Sequence, residues 1–286
     1  MNKIPIREEG LVATLFKRGN PTTALIVLGG SSGGLSEKRA EELAEQGFAA
    51  LALAYFASES LPSTLKEIPL EYFERAIDWL RRKEGIERIG IWGGSRGGEL
   101  SLILGTFFPD KINAIAAHVP SSVVYGAFDD QSAPAWIYQG KPIAPNAPFL
   151  YREESSGDSE TSAIAATPFF LDAMKDKTAF AASAIPVEKL RCPLLLISAQ
   201  DDQMWPSFLF ANQIVARLAH YKSSIYCTHI SYPGVGHAPS KGTAGFHPIM
   251  KRWFAYGGNP TDNARAAEDW LKETVRFFKE RIQPPQ

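Results

Sequence analysis

The chain has 286 residues, 45% of them hydrophobic and 21% charged, which supports a large buried core and excludes disorder and collagen-like repetition. Thirty Lys and Arg against 31 Asp and Glu leave a net charge of -1, so no global field would gather nucleic acid or an anionic membrane. A small-molecule partner is expected, with one α/β domain over residues 1–286, because such folds often run to about 250 residues around one sheet.

The N-terminal residues MNKIPIREEG lack the apolar stretch of a signal peptide. The longest apolar run, Phe48 to Ala57, falls well short of the roughly 20 residues that a membrane span needs, so no membrane insertion is expected. Cys192 and Cys227 are too few for a disulfide framework, and no Cys/His spacing suits zinc. Free thiols in a cytoplasmic protein, with no bound metal or cofactor, are the expectation.

Short β-rich runs alternate with amphipathic helices, the pattern of a mostly parallel sheet covered on both faces. Thr23 to Leu28 reads as the first strand and runs into GGSSGG at 29–34. Ser36 is expected to cap a helix burying Ala40, Leu43 and Ala44. Phe48 to Ala54 is a strand buried on both faces, and Leu70, Phe73, Ile77 and Leu80 line the next helix. The strand Arg88 to Gly93 breaks at GGSRGG before the apolar helix ELSLILGTFF.

After a strand at Ile112 to Val119, residues Pro120 to Ser162 carry prolines, glycines and scattered aromatics without a sustained period, and a lid-like insertion over about 120–185 is expected. Thr167-Pro168 starts a short helix, with Thr as the cap. Regularity resumes with the strand Pro193 to Ala199. A helix presenting Phe208, Ala211, Ile214, Val215 and Leu218 follows, then a strand near Tyr226 to Tyr232. The last helix, about Thr261 to Arg281, presents Ala267, Trp270, Leu271, Val275, Phe278 and Ile282.

Gly93-Gly94-Ser95-Arg96-Gly97 satisfies GxSxG and stands where that motif has meaning, between a hydrophobic strand and a helix. The turn holds the serine Oγ above the sheet edge, and small residues on either side avoid clashes. A serine hydroxyl needs a base, and the base needs an orienting carboxylate. In α/β-hydrolases these follow in the order Ser, acid, His, each after a late strand. Asp201-Asp202 follow PLLLISA, and His237 stands in YPGVGHA after the last strand.

Asp202 is preferred as the acid because it stands in Asp-x-x-Trp-Pro. Asp201 is the alternative, and the loser would be a turn or helix-capping residue ahead of Pro206. The backbone amides of Arg96 and, from GGSSGG, Ser31 are expected to hold the oxyanion. GGSSGG lacks the spacing of GxGxxG and of a P-loop. Of the other histidines, His220 and His229 read as a helix-end and a sheet residue. His247 reads as a loop residue, and His118 as a strand end beside the site. Tyr125, Phe128, Trp136 and Tyr138 suggest an apolar acyl or aromatic pocket.

The sequence resembles the C-terminal hydrolase domain shared by acyl-CoA thioesterases and bile acid-CoA:amino acid N-acyltransferases. The likeness spans nearly the whole chain and rests on GGLSEKRAEELAEQGFAALALAYF (33–56), IGIWGGSRGGELSL (89–102), IPVEKL (185–190), QDDQMW (200–205), YPGVGH (232–237) and YGGNPTDNARAAEDW (256–270). It implies an α/β-hydrolase fold, a triad at Ser95, Asp202 and His237, and acyl-CoA thioesters as substrates.

Family members with established activity carry an added N-terminal β-sandwich, whereas here only about 20 residues precede the first core strand, Thr23 to Leu28. The amino-acid transferase uses cysteine as its nucleophile. Serine here favours water as the acceptor, because an oxygen ester is less disposed to attack by an amine than a thioester is. CoA phosphates would need cations, for which Arg96 and the pair Lys251-Arg252 are candidates. A carboxylesterase or dienelactone-hydrolase-like lactonase with the same triad is the alternative, followed by an inactive binding protein of the same fold.

Overall fold

A computed structural model describes residues 1–149, 157–247 and 252–282. Its strands are β1 (Asn2–Ile6), β2 (Val12–Lys17), β3 (Thr23–Leu28), β4 (Ala49–Ala54), β5 (Ile68–Pro69), β6 (Arg88–Gly94), β7 (Ala114–His118), β8 (Trp136–Tyr138), β9 (Lys141–Pro142), β10 (Leu194–Ala199), β11 (Cys227–Tyr232), β12 (Ala244–His247) and β13 (Arg252–Ala255). The helices are α1 (Glu37–Glu45), α2 (Leu70–Glu84), α3 (Arg96–Phe107), α4 (Thr167–Ala173), α5 (Lys177–Ala182), α6 (Ser207–His220) and α7 (Pro260–Arg281).

The main sheet has eight strands in the order β1-β2-β4-β3-β6-β7-β10-β11. Pairing is antiparallel for β1–β2 and β2–β4 and parallel from β4 onward. Alternation along the strands divides two cores. Ala24, Ile26 and Leu28 join Leu51 and Leu53 under α2, α3 and α6, while Leu25 and Val27 join Ala50 and Ala52 under α1 and α7. Each Leu or Ile so buried contributes roughly 1.5–3 kcal/mol. The alanines of β4 leave room for α1, which buries Ala40, Leu43 and Ala44.

Two strands precede Thr23, so the sheet begins at Asn2, not at the first strong apolar run. β1 is an edge strand carrying Lys3 and Pro5 with only Ile6 buried, a pattern that protects an edge and hides the strand from a hydrophobicity reading. Ser36 occupies the N-cap position of α1 but makes no side-chain cap hydrogen bond. In α4 it is Ala166 that stands at the cap, and Thr167 lies inside the helix.

α6 buries Ser207, Phe210, Ala211, Ile214 and Leu218, leaving Phe208 and Val215 each 38% exposed, contrary to the expected face. The inward side is turned toward Phe210, which reaches an aromatic cluster with Tyr125, Phe170 and Trp205. α7 buries Trp270, Phe278 and Ile282 as expected, with Leu271 and Val275 half-buried against the same core, and its inward side also takes in Asn263, Ala266, Thr274 and Phe277. Polar Asn263 and Thr274 face inward because each has a hydrogen-bond partner there, the Gly236 N–H for Asn263 and the His118 imidazole for Thr274.

The chain between β7 and β10 is the expected excursion, of which residues 150–156 lie outside the described residues. It is less irregular than its composition implies. β8 pairs with β5 and with β9, and α4 and α5 follow. This segment, with α4, α6 and β13, builds a third core over the C-terminal edge of the sheet.

Candidate active site

Ser95 joins β6 to α3 with φ 58 and ψ -122, a conformation that an L residue adopts only under constraint. Its N–H donates to the carbonyl of His118 at 2.9 Å. The turn closes because neither flanking glycine carries a side chain. A Cβ on Gly93 would stand 2.0 Å from the Gly97 carbonyl oxygen, and one on Gly97 would stand 2.4 Å from the Leu28 and Gly29 oxygens. Those obstacles are backbone, so Gly97→Ala is expected to cost at least about 1–3 kcal/mol, read as a lowered thermal unfolding midpoint. An unchanged midpoint would mean that the elbow relaxes freely.

Ser95 Oγ lies 2.9 Å from His237 Nε2, and His237 Nδ1 lies 2.8 Å from Asp202 Oδ2. With the carboxylate as acceptor, Nδ1 carries the hydrogen and the Nε2 lone pair faces the serine hydroxyl. The other Asp202 oxygen accepts from the Met204 and Trp205 amides at 3.0 and 3.2 Å. Asp201 turns away instead, accepting the Gly258 N–H at 2.9 Å. Of the two aspartates, the structure thus brings Asp202 to His237 and uses Asp201 to hold a glycine turn.

The histidine loop is anchored from behind. His237 N–H donates to the Tyr256 carbonyl at 2.7 Å, and Asn263 accepts from Gly236 N–H at 2.9 Å while donating to the Gly257 carbonyl at 3.2 Å. Trp205 meets the imidazole edge to face, with centroids 5.8 Å apart, and its indole N–H donates to the Val119 carbonyl at 3.0 Å. Of these supports the sequence marks only Trp205, through Asp-x-x-Trp-Pro. Asn263 and Tyr256 occur within a recognisable segment, but nothing in their spacing states which backbone groups they hold.

Ser31 and Arg96 both line the cavity at Ser95. Among the described residues, neither backbone N–H donates to a backbone acceptor. Arg96 opens α3, where the helix dipole favours negative charge. The glycine before Ser31 packs on the elbow, since a Cβ on Gly30 would lie 3.1 Å from Ser95 Cβ. The cavity itself measures about 270 Å³ and has a largely apolar wall whose aromatic residues include Tyr125, Phe128, Phe170 and Trp205.

Trp136 and Tyr138 do not line it. Trp136 is fully buried beneath the wall, and Tyr138 packs on Phe107 and Phe108. The Arg96 side chain also departs from expectation. It is 2% exposed, paired with Glu99 at 2.9 Å and donating to the Tyr125 carbonyl at 2.9 Å, so it cannot meet a phosphate. Burial pushes the Glu99 carboxyl up to about 7, against the opposing pull of Arg96. Of the other expected cations, Lys251 lies outside the described residues, and Arg252 is half-buried in β13.

His118 lines the cavity behind Ser95 and is fully buried, with Nε2 3.2 Å from the Trp92 indole nitrogen and 2.8 Å from Thr274 Oγ1. Burial and nearby Arg39 hold it well below the usual histidine range, so it is neutral. His229 bonds Ser198 inside the sheet at 2.7 Å, and His220 ends α6. His247 belongs to strand β12, correcting its reading as a loop residue. Among the described residues, no cluster of His, Cys, Asp or Glu could hold a metal ion, and no helix is long and apolar enough to cross a membrane.

Residues 68–284 match the family described as BAAT / Acyl-CoA thioester hydrolase C terminal. The chain is 30% identical to acyl-coenzyme A thioesterase 1 of Rattus norvegicus over 99% of its own length and 66% of that protein's. It is 31% identical to acyl-coenzyme A amino acid N-acyltransferase 1 of Mus musculus, covering 92% of this chain and 60% of that one. Thus it spans less than two thirds of the length of these relatives.

Among solved structures, Pyrococcus furiosus esterase Pf2001 superposes with a TM-score of 0.59 at 16% identity, covering 99% of this chain and 91% of that chain. Est1E of Butyrivibrio proteoclasticus, in a structure with ferulic acid, does so with a TM-score of 0.54 at 17% identity, covering 99% of both chains. These distant likenesses establish the α/β-hydrolase fold. With three quarters of its length matched by the family and its sheet of hydrolase architecture, the chain belongs to the BAAT / acyl-CoA thioester hydrolase C-terminal family.

Proposed function

We propose that the chain, acting as a single domain over 1–286, is a serine hydrolase that cleaves acyl thioesters, with acyl-CoA as the substrate class. The observation that supports this most directly is the hydrogen-bonded row from Ser95 Oγ through His237 to Asp202, with links of 2.9 and 2.8 Å, opening into an apolar cavity. In this reading His237 Nε2 takes the Ser95 proton as Oγ attacks the thioester carbonyl. The resulting oxyanion is held by the Arg96 and Ser31 amides.

Cleavage of the C–S bond sends the proton from His237 to the leaving sulfur. Water then gives a proton to Nε2 and attacks the acyl-serine, the C–Oγ bond breaks, and Ser95 recovers its proton from His237. The reading needs no metal or cofactor. Free Cys192 and Cys227 accord with a cytoplasmic setting, and burial pushes the Cys192 thiol up to about 12, which makes it inert.

One observation favours a second reading, a carboxylesterase or lactonase. The cation expected at the elbow for CoA phosphates, Arg96, is sealed against Glu99, leaving Arg39 and Lys241, among the described residues, as the Arg and Lys that line the cavity. Matched kinetics on acyl-CoA thioesters and simple esters of the same acyl groups separate the two. A kcat/KM at least about tenfold higher for the thioesters is expected, and equal or better ester hydrolysis overturns the thioesterase assignment.

A further inference from the structure

A buried ion pair stands directly behind the nucleophile and takes no part in the proton transfers. Arg96 is 2% exposed and Glu99 is fully buried, one turn apart on α3. Replacing such a pair with apolar residues is often neutral or favourable for stability, so stability alone does not account for it. What the pair does is visible in its other bonds. Arg96 Nη2 donates to the Tyr125 and Gly126 carbonyls at 2.9 and 3.2 Å. Glu99 Oε1 accepts from the Trp136 indole N–H at 2.8 Å and from the Tyr125 amide at 3.4 Å.

The guanidinium lies between the Phe128 and Trp136 rings, 5.7 and 5.6 Å from their centroids. Every one of these attachments falls on residues 125–136, and Tyr125, Gly126, Phe128 and Gln131 of that stretch line the cavity. The stretch also folds back on itself, with Ala127 N–H bonded to the Ala133 carbonyl at 3.0 Å. Its far arm is tied by the Asn146 amide to the Gln131 and Ala133 carbonyls at 3.0 Å and by the Glu67 and Ile68 N–H groups to the Pro134 and Ala135 carbonyls at 2.9 and 2.8 Å, so the ion pair is the attachment that joins it to the nucleophile's own helix. The scaffold continues to the other side of the site. Trp136 packs on Tyr55, with centroids 5.7 Å apart, and the Tyr55 hydroxyl donates to the Gly29 carbonyl at 2.6 Å, next to the loop that carries Ser31.

We propose that Arg96 and Glu99 are a positioning pair that fixes residues 125–136 as the wall of the acyl pocket and thereby sets which acyl sizes Ser95 accepts. This rests on the reading of Ser95 as the acylated nucleophile. The pair is positioning and not catalytic, because its charged atoms meet the wall and not the reacting carbonyl. An error of about 1 Å in such a wall costs on the order of 10²-fold for a substrate that leans on it and little for one that does not reach it.

The test is a series of alkyl fluorophosphonates, from methyl to dodecyl, with the second-order rate of Ser95 phosphonylation as the readout. In that reaction the Oγ–P bond forms, fluoride leaves, and His237 takes the hydroxyl proton. The wild-type rate should rise with chain length to an optimum and then fall. Glu99→Gln keeps an acceptor for Trp136 but loses the carboxylate, and Trp136→Phe keeps both charges but loses the indole donor together with part of the buried ring.

Both variants should label with the methyl probe within about threefold of wild type, yet fall about tenfold or more at the optimum, flattening the length profile. A profile of unchanged shape, a flat wild-type profile, or an equal loss at every length including methyl overturns the proposal. If Glu99→Gln does not fold, Trp136→Phe decides alone. Failure of wild-type protein to label at all overturns the nucleophile assignment itself, a result distinct from any of these.

Discussion

Ser95→Ala is expected to lower kcat/KM by at least about 10³-fold on any acyl substrate the protein turns over, and to abolish fluorophosphonate labelling. The change removes one atom. His237 and Asp202 keep their 2.8 Å contact, and the Arg96 and Ser31 amides stay where the backbone puts them, so whatever rate survives measures oxyanion stabilisation and binding without a nucleophile. Alanine tolerates φ 58 no better than serine does, and the Gly93 and Gly97 contacts that enforce the turn are untouched. Thermal unfolding and circular dichroism should therefore match wild type. A variant that keeps near-normal turnover would show that the acyl group is transferred elsewhere, and the serine-hydrolase reading would fall.

The two adjacent aspartates should respond in opposite ways. Asp202→Asn is expected to reduce kcat by about 10⁴-fold with little change in KM, whereas Asp201→Asn should stay within about threefold of wild type. In the first variant the remaining carbonyl oxygen can still accept from the Met204 and Trp205 amides, which directs the new NH2 group at His237 Nδ1. Two donors cannot face each other, so the imidazole shifts its hydrogen to Nε2 and presents an N–H, not a lone pair, to Ser95. In the second variant the asparagine oxygen accepts the Gly258 N–H as the carboxylate did. A larger loss from Asp201→Asn would reverse the assignment of the acid.

Much of the hydrolase frame was legible in the sequence because it depends on local chemistry. Continuous apolar runs such as Ala24–Leu28 have few alternatives to a buried strand, and a glycine-flanked serine between strand and helix is constrained within five residues. The acid and the histidine follow such strands directly, so chain order alone points to Ser95, the Asp201-Asp202 pair and His237. The choice of Asp202 over Asp201 rested on the tryptophan three residues later, and the amide of that Trp205 is among those holding the carboxylate.

Other features were illegible for definite reasons. β1 carries the charges of an edge strand and too little apolar character to register. The edges of the buried faces of α6 and α7 are not legible, because Phe208 and Val215 look like core residues, while Asn263 and Thr274 do not. Partners elsewhere in the chain reverse that ranking: Asn263 meets the Gly236 N–H, Thr274 meets the His118 imidazole, and the aromatic cluster draws Phe210 inward. A hydrophobic period reports what a helix could bury, and packing decides what it does bury.

Arg96 states the division most clearly. From the sequence, its position after Ser95 determined that its backbone would open a helix beside the nucleophile, because the GxSxG turn leaves a helical residue no other course. Whether its side chain met solvent, a phosphate or the interior depended on residues 125–136, about thirty positions further on, returning to cover α3 and offering two carbonyls and two aromatic faces. An arginine with Glu99 at i+3 looks the same on an exposed helix as on a buried one. Desolvation, which separates the two cases, exists only once the whole chain has packed.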